Sequence, residues 1–330
     1  MKLKTLGLII PAILASNAVV AADVYKNDTL TFSISGHVKA NSTSVSAKTD
    51  GTTTKEKDFH VITSGEVVFG ANYALNEDVT LDGSAKISGS DGLKGYVLSA
   101  THVEFGKLAL GDTGGSFGAI NKANGLEISN IYSVAPSGPN QNGIRYTKSV
   151  GSFDFSADYE AKETALEEVD GKDVKNPSNY GASVNFNGEG FTVAASYGSD
   201  GDDAQSYGFG ADVTFGGLKL GAAYVDFENA GSLTVNTDVD PIQLKSPNSG
   251  ETYAFTTTYT IDKLALFASY QNAEGKTADK SFDIDTYATG LTYQISDNFN
   301  TWVNYQFGEA KDGAASKEGD VIRLGVKLTF

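Results

Sequence analysis

Strict alternation of apolar and polar residues is the feature that most limits what this chain can fold into. In residues 30–41 every even position is apolar or glycine and every odd position is polar, and residues 79–88 and 322–330 alternate in the same way. Side chains of a β-strand point alternately to two faces, so the pattern predicts strands with one apolar and one polar face. After residue 22 no run of eighteen apolar residues occurs, and the sequence therefore predicts no transmembrane helix.

Followed along the whole chain, the alternation predicts sixteen strands. They lie near residues 30–41, 59–75, 79–88, 94–105, 107–111, 143–149, 152–160, 180–187, 190–197, 206–215, 218–227, 251–260, 263–270, 283–295, 298–307 and 320–330. Every second connection is a short turn rich in Gly, Asp and Asn. The intervening ones include longer polar stretches at 42–58, 112–142, 161–179, 228–250 and 308–319. This order predicts an antiparallel up-and-down meander, and an even strand number lets the last strand pair with the first.

The position of the aromatic and charged residues decides which face of the strands is outside. A soluble sandwich would bury the apolar face. Here that face carries aromatic residues near the strand ends, as two interfacial girdles on a lipid-exposed barrel would. These residues are Phe69, Tyr73, Phe105, Tyr146, Tyr159, Phe186, Tyr197, Phe215, Tyr259, Tyr270, Tyr293, Phe299 and Phe307. The polar face holds charges in mid-strand. The fold class predicted is all-β, a sixteen-stranded transmembrane β-barrel with a lumen wide enough to be a channel.

The first segment is predicted to be a targeting signal. Lys2 and Lys4 precede an apolar run at residues 6–14, and small residues at 20–22 form a cleavage site. This order is typical of a secretory signal peptide at residues 1–22, followed by a single barrel domain at 23–330. An N-terminal anchor helix is less favoured because the apolar run is short and Pro11 interrupts it.

Composition excludes several classes of site. The 330 residues include no cysteine and three histidines, so no cysteine-based metal site or thiol nucleophile exists, and we expect neither a cofactor nor a metal. With 25 basic against 41 acidic residues the net charge is −16, which disfavours nucleic-acid binding. The acidic clusters at 167–173 and 200–203 lack the full EF-hand spacing, and we interpret them as solvated loop residues.

Three stretches carry a family resemblance. The last ten residues, 321–330, alternate and end in Phe330. Residues 142–146 and 151–159 form a strand, a turn and a second strand. The long connection 112–142 follows the fifth strand. On these features the whole mature chain resembles the general porins of Gram-negative outer membranes, which are sixteen-stranded trimeric diffusion channels. The PEFGGD-type sequence of the enterobacterial loop is absent.

The resemblance implies a passive channel in the outer membrane. It implies that the third loop, at about 112–142, folds inward as a constriction, and that three copies form a homotrimer in contact with lipopolysaccharide and outer-membrane lipid. It also implies that the barrel-assembly machinery reads the C-terminal strand ending in Phe330. Small outward residues at 36–40 and 83–85 match the trimer side of the family.

In the family, acidic residues on the inward loop face basic residues on the barrel wall. The loop here offers Asp112, Lys122 and Glu127, with Glu127 in the distal half where the family places its acid. Candidates on the wall are Lys86, Lys94, Arg145 and Arg323, and more weakly Lys39 and Lys327. Arg145 is expected to point inward because its neighbours Ile144 and Tyr146 are outward residues. Without residues 1–22 the chain has 23 basic and 41 acidic residues, a charge of −18, which favours a mild preference for cations.

Other functions remain as alternatives. A channel specific for a sugar or oligosaccharide would line its lumen with aromatic rings, whereas Trp302 is the one apparent inward aromatic residue. A barrel enzyme would need a nucleophile near His37, His60 or His102, which we expect in the lumen, but no nucleophile motif surrounds them. An adhesin or phage receptor would add its role to channel activity.

Overall fold

The structure is a computed structural model that describes residues 22–89, 92–121, 143–160, 168–169, 172–173, 178–200, 204–229, 232–235, 242–245, 249–277, 280–312 and 315–330. Apart from Ala22, the proposed signal peptide lies outside these residues, and so do parts of both acidic clusters. Within the described residues, no helix is both long and apolar enough to cross a membrane.

Sixteen strands form the barrel wall. The first eight are β1 (Leu30–Thr49), β2 (Thr52–Ala74), β3 (Val79–Ser88), β4 (Gly92–His102), β5 (Gly106–Gly111), β6 (Gly143–Val150), β7 (Phe153–Glu160) and β8 (Asn179–Gly188). The second eight are β9 (Phe191–Asp200), β10 (Gln205–Phe215), β11 (Leu218–Glu228), β12 (Ser249–Ile261), β13 (Leu264–Lys276), β14 (Ser281–Ser296), β15 (Phe299–Asp312) and β16 (Ala315–Thr329). Short hairpins outside the wall pair Glu168–Val169 with Lys172–Asp173 and Ser232–Val235 with Ile242–Lys245.

The sheet is closed because each strand pairs antiparallel with the next and β16 pairs with β1. An N-terminal strand, Ala22–Lys26, pairs with the beginning of β1 on the same side that β16 occupies further along. The strand Ala22–Lys26 and β16 therefore lie end to end along the same side of β1. Closure pairs the first strand of the sixteen-stranded wall with the last, as a spanning sheet requires since lipid cannot hydrogen-bond to backbone groups. The predicted sixteen-stranded barrel is confirmed.

Tight turns join the strands at one end of the barrel. Asp262 in the turn before β13 has a φ of 49°, and Gly151 and Gly216 in two other turns have φ values of 58° and 57°. Asp and Gly enter this left-handed region more readily than other residues, so the turn residues suit their positions. The predicted short turns are confirmed at this end, which is the periplasmic end in barrels of this type.

The outward face is apolar across the membrane band, with an aromatic belt at each border. Near the loop end, rings of Tyr253, Tyr270, Tyr287 and Phe307 stand side by side on β12–β15, with centroids 6.1, 4.9 and 6.4 Å apart. Near the turn end, the Phe186 ring lies 5.0 Å from Phe153 and 5.8 Å from Phe191. Such belts mark the two lipid–water interfaces.

Above the loop-side aromatic belt the inward face of the strands is apolar and the outward face is polar, the reverse of the arrangement in the membrane band. On β1 the inward Val45 and Ala47 are buried, at 2% and 8% exposure, while Ser44 and Ser46 point outward. The same exchange occurs on β14–β16, where the inward residues Ile284, Ala310 and Val321 are buried and the outward ones are Asp285, Glu309 and Asp320. Beyond the bilayer the outer surface meets water, so apolar side chains there are buried on the inner side.

This exchange overturns part of the expected loop layout. Residues 42–58 and 308–319 were expected to be loops, but the structure continues β1 and β2 through the first range and β15 and β16 through the described part of the second. The turn at Asp50-Gly51, with φ values of 48° and 76°, closes the first hairpin. β4 also begins and ends earlier than the predicted 94–105.

The wall is uneven in height as a result. β1 and β2 contain 20 and 23 residues, and β14, β15 and β16 contain 16, 14 and 15. In contrast, β5, β6 and β7 contain 6, 8 and 8 residues. About 9–11 residues suffice to cross the hydrocarbon core. The strands from β14 to β2 therefore project well beyond the membrane on the loop side.

Candidate functional site

Basic side chains dominate one sector of the inner wall. Lys39 on β1 lies opposite Lys327 on β16, and the Lys39 ammonium stands 4.7 Å from the centroid of the Trp302 ring. Arg323 points inward, and its Nη1 donates to Gln306 Oε1 at 2.9 Å. Lys86 on β3 pairs with Glu66 on β2 across 3.4 Å. Arg323 and Lys86 thus occupy the inward positions that the sequence predicted.

Acidic side chains dominate the facing sector. The inward positions of β7 and β10 include Asp154, Asp158, Glu160 and Asp212. Asp154 accepts hydrogen bonds from Ser149 at 2.5 Å and from Asn187 at 2.7 Å, while Asp212 lies 3.6 Å from Lys219. Opposite charges on separated sectors create a field across the lumen, which acts on any ion between them.

The third connection begins against this acidic sector. After β5 the backbone turns at Gly111 and Gly114, which have φ values of 107° and 65°. A 3₁₀ helix follows at Ser116–Ile120. It contacts the inner wall of β7–β10, which places the start of the connection inside the barrel. Residues 122–142 lie outside the described residues, so a constriction by the whole loop stays a prediction.

Small residues on the wall form the seat for this 3₁₀ helix. Phe117 and Ile120 are buried at 5% and 1% exposure and cluster with Ala194 of β9. A Cβ on Gly210 would overlap the carbonyl oxygen of Ile120, and one on Gly208 would overlap its Cδ1. The two inward glycines of β10 therefore leave the space that the helix fills.

Polar side chains fasten the helix at its first residue. The buried Ser116 donates its backbone N–H to Asp158 Oδ1, and its Oγ lies 2.8 Å from Ser156 Oγ. Arg145 Nε donates to Ser156 Oγ at 2.9 Å and Nη1 donates to the Thr113 carbonyl at 3.2 Å. Arg145 points inward as predicted, but two of its donors are directed to groups that hold the connection.

The remaining predicted site residues are dispersed. Asp112 lies at the start of the connection, where its Oδ2 and the Lys86 side chain border Gly95. Lys94 is opposite Lys86 on β4, but its side chain is not among those described. Lys122 and Glu127 lie outside the described residues.

Sequence reasoning missed Ser116, Ser156 and Asp158. The available signal was the alternation itself, which places Ser156 and Asp158 on the inward face of β7 beside Arg145. The paired glycines at 208 and 210 on one face of β10 were a second signal, since adjacent same-face glycines leave room for another segment.

Two expectations about lumen residues are wrong. Trp302 is not the one inward aromatic residue, because Phe227, Phe267 and Phe282 also occupy inward positions. Each of these four rings lies over a glycine of the neighbouring strand and is at most 4% exposed, so none offers a free face to a solute. The alternation is reversed above the membrane band and so concealed Phe227 and Phe282, whereas Phe267 lies on a regularly alternating strand that already placed it inward.

His102 was expected in the lumen and instead faces outward on β4. Its ring packs 4.5 Å from that of Phe105, and its Nδ1 accepts the backbone N–H of Glu104 at 3.0 Å. His37 and His60 do occupy inward positions, on β1 and β2. The three histidines are thus not one group on the lumen wall.

Known proteins show the same architecture. Outer membrane porin F of Salmonella typhi is 24% identical in an alignment 382 positions long that covers 100% of this chain and 99% of the relative. Porin-like protein L of Photobacterium profundum is 25% identical in an alignment 361 positions long that covers 100% of both chains. The structure of OmpF of Salmonella typhi superposes with a TM-score of 0.71 at 18% identity, covering 93% of this chain and 99% of that one.

The family profile described as Gram-negative porin matches residues 9–313, nearly the whole chain. This match and the relatives named porin agree with a closed barrel bordered by aromatic belts and lined with charge. Porins are passive channels of the outer membrane and not enzymes. The chain belongs to the Gram-negative porin family.

Proposed function

We propose that this porin is a general diffusion channel for ions and small hydrophilic solutes with a mild preference for cations. The observation that carries the preference is the acidic balance of the chain, −16 in total. Acidic vestibules raise the local concentration of cations before they reach the pore. The inner wall contributes less to this preference, because its acidic sector on β7 and β10 faces a basic sector on β16–β3.

The narrowest part of the pore is proposed to be formed by the third connection, 112–142. Its first residues lie against the inner wall of β7–β10, which supports this assignment. Asp112 and Glu127 would then face the basic sector that contains Lys86, Lys94 and Arg323, with Lys122 as the loop's base. Selection by charge would arise from the field between these groups.

Reversal potentials in planar bilayers under a KCl gradient test the cation preference. The wild-type channel is expected to favour K⁺ mildly. Replacing an inward base, as in K86Q or R323Q, should raise that preference, because each variant removes one positive charge from the lumen. D320N is the matched control, since Asp320 faces outward and bonds to the Tyr305 hydroxyl. Preference for Cl⁻ by the wild type at neutral pH would overturn the proposal.

A general pore is favoured over a sugar-specific one. Stacking on a sugar needs exposed aromatic faces, whereas the rings of Trp302 and Phe267 pack on Gly325 and Gly290 and are each 4% exposed. Conductance should therefore rise with salt without saturating. Addition of maltose oligosaccharides should leave the current unblocked, and a concentration-dependent block would favour the specific channel instead.

We propose that three copies associate through the outer surface of β1 and β3. A solved OmpT of Vibrio cholerae is described as a trimer form, and its TM-score to this chain is 0.65. Small side chains allow neighbouring barrels to approach closely, and Ala40, Gly83 and Ala85 occupy outward positions here. Unheated samples in SDS should migrate as trimers, and a monomer in mild detergent would contradict this.

We also propose partners at the two borders of the membrane. Outward carboxylates above the loop-side belt, such as Asp285 and Glu309, would face lipopolysaccharide headgroups, where divalent cations would bridge them to phosphates. At the other end, the strand that ends in Phe330 is proposed to be read by the barrel-assembly machinery. Retention of lipopolysaccharide after purification, with and without EDTA, tests the first contact.

A further inference from the structure

Arg145 is an inward base that hydrogen-bonds to the third connection, so its charge would be expected to contribute to selectivity. Its hydrogen bonds indicate a structural role instead. Its Nε and Nη1 reach two points of one small assembly, the Ser156 hydroxyl on β7 and the carbonyl of Thr113. Arg145 therefore links two strands of the wall to the backbone that enters the lumen.

The groups around Arg145 complete this link. Ser156 receives the guanidinium bond and also contacts Ser116 Oγ, while Asp158 accepts the backbone N–H of Ser116. Ser116 is fully buried and Asp158 is 8% exposed, so water competes little for these bonds. Gly181 on β8 makes room for the carboxylate, since a Cβ there would lie 3.1 Å from both of its oxygens.

We propose that Arg145, Ser156 and Asp158 form a latch that positions Thr113–Ile120 against the wall, and that Arg145 acts as a positioning residue rather than as a charge that selects ions. The inference rests on the proposed channel function. A guanidinium supplies several donors in a rigid fork, whereas a lysine ammonium is a single point charge on a flexible stem. Charge and position can therefore be separated by substitution.

Single-channel recordings of R145K and R145Q distinguish the effect of the Arg145 charge from its effect on the position of the connection. R145K keeps the charge and loses the fork, and we expect its open-channel current noise to rise about twofold or more while its reversal potential stays that of the wild type. R145Q should be equally noisy. K263Q is the control for R145Q, because Lys263 lies in the turn before β13, where its Nζ donates to the Ile295 carbonyl at 3.2 Å. A heat-modifiable band on SDS gels confirms that each variant folds.

A reversible covalent lock distinguishes positioning from a general loss of stability. The hydroxyls of Ser116 and Ser156 are 2.8 Å apart, so cysteines at these positions are close enough for a disulfide. The chain has no other cysteine. In the triple variant R145K/S116C/S156C, the current should be noisy when reduced and return to the wild-type noise level when oxidised.

These experiments distinguish a failure of the proposed latch from a failure of the proposed channel function. Quiet currents in R145K and R145Q, with a shifted reversal potential in R145Q alone, would show that Arg145 acts through its charge and would overturn the latch. Noise that persists in the oxidised triple variant would overturn it as well. A wild-type protein that folds but conducts no ions would instead refute the proposed function.

Discussion

Phe330, the last residue, exchanges two backbone hydrogen bonds with Gly36: Gly36 N–H donates to the Phe330 carbonyl at 2.6 Å, and Phe330 N–H donates to the Gly36 carbonyl at 2.8 Å. The Phe330 ring also lies over Gly36, 3.1 Å from where a Cβ would stand. The final residue thus completes the seam between β16 and β1, next to the N-terminal strand. Phe330 therefore both closes the sheet and forms part of the proposed assembly signal.

F330A is expected to lower barrel assembly more strongly in cells than in detergent refolding. In cells the variant would lose both the proposed recognition and the packing on Gly36, whereas in detergent it would lose packing alone. Heat-modifiable band intensity measures both yields. L324A is the control, because it removes an outward apolar side chain from mid-strand. Equal losses in cells and in detergent would argue against recognition of the terminal residue.

G210A is expected to displace the 3₁₀ helix at Ser116–Ile120 and to destabilise the barrel by about 1–3 kcal/mol, as overpacking does. The added Cβ would overlap the Ile120 carbonyl. Urea-dependent refolding in detergent measures the change in unfolding free energy. G83A serves as its comparison, since the nearest atom to its Cβ is a Leu98 methyl at 3.4 Å. Similar stability of the two variants would contradict the seat described for the helix.

Trp302 is the one tryptophan of the chain and is 4% exposed, so its fluorescence reports on the inner wall. We expect acrylamide to quench it several-fold less in the folded barrel than in urea. G325A should shift its emission and cost about 1–3 kcal/mol, because the new Cβ would overlap the indole ring. Unchanged emission and stability in G325A would mean that the ring does not lie against that glycine.

A85W tests the proposed trimer surface. Ala85 faces outward on β3, and a large ring there should keep two barrels apart. The SDS-resistant trimer band is expected to disappear while the heat-modifiable monomer remains. A268W places the same ring outward on β13, away from that surface, and should leave the trimer intact. Loss of the trimer in both variants would point to a nonspecific effect.

The accuracy of the sequence-based prediction depended on whether the outside of the wall at each residue is lipid or water. In the membrane band the outside is hydrocarbon, so alternation identified all sixteen strands and the outward position of residues such as Tyr146. Above the band the outside is water, and Val45 and Ala47 turn inward. The pattern reverses there, and polar outward serines gave 42–58 the composition of a loop. The Asp50-Gly51 pair, a strong hairpin signal, was the clue to the longer strands.

The candidate site was less accessible to the same reasoning. Alternation showed that Arg145 points inward, but not that its donors reach the carbonyl of Thr113. That contact depends on the path of an irregular segment, which has no periodicity to detect. The bond between Asp158 and Ser116 likewise joins residues 42 positions apart. Such ties are set by tertiary packing and not by local pattern.

The uneven height of the wall makes this porin a convenient carrier for display. The Asp50-Gly51 turn lies at the tip of the longest hairpin, nine or more residues beyond the length that a membrane crossing needs. Exposed turns tolerate insertions when little packing depends on them, and both Asp50 and Gly51 are exposed. A peptide epitope inserted there would stand clear of the lipid surface while the seam at Phe330 and the latch at Arg145 stay untouched.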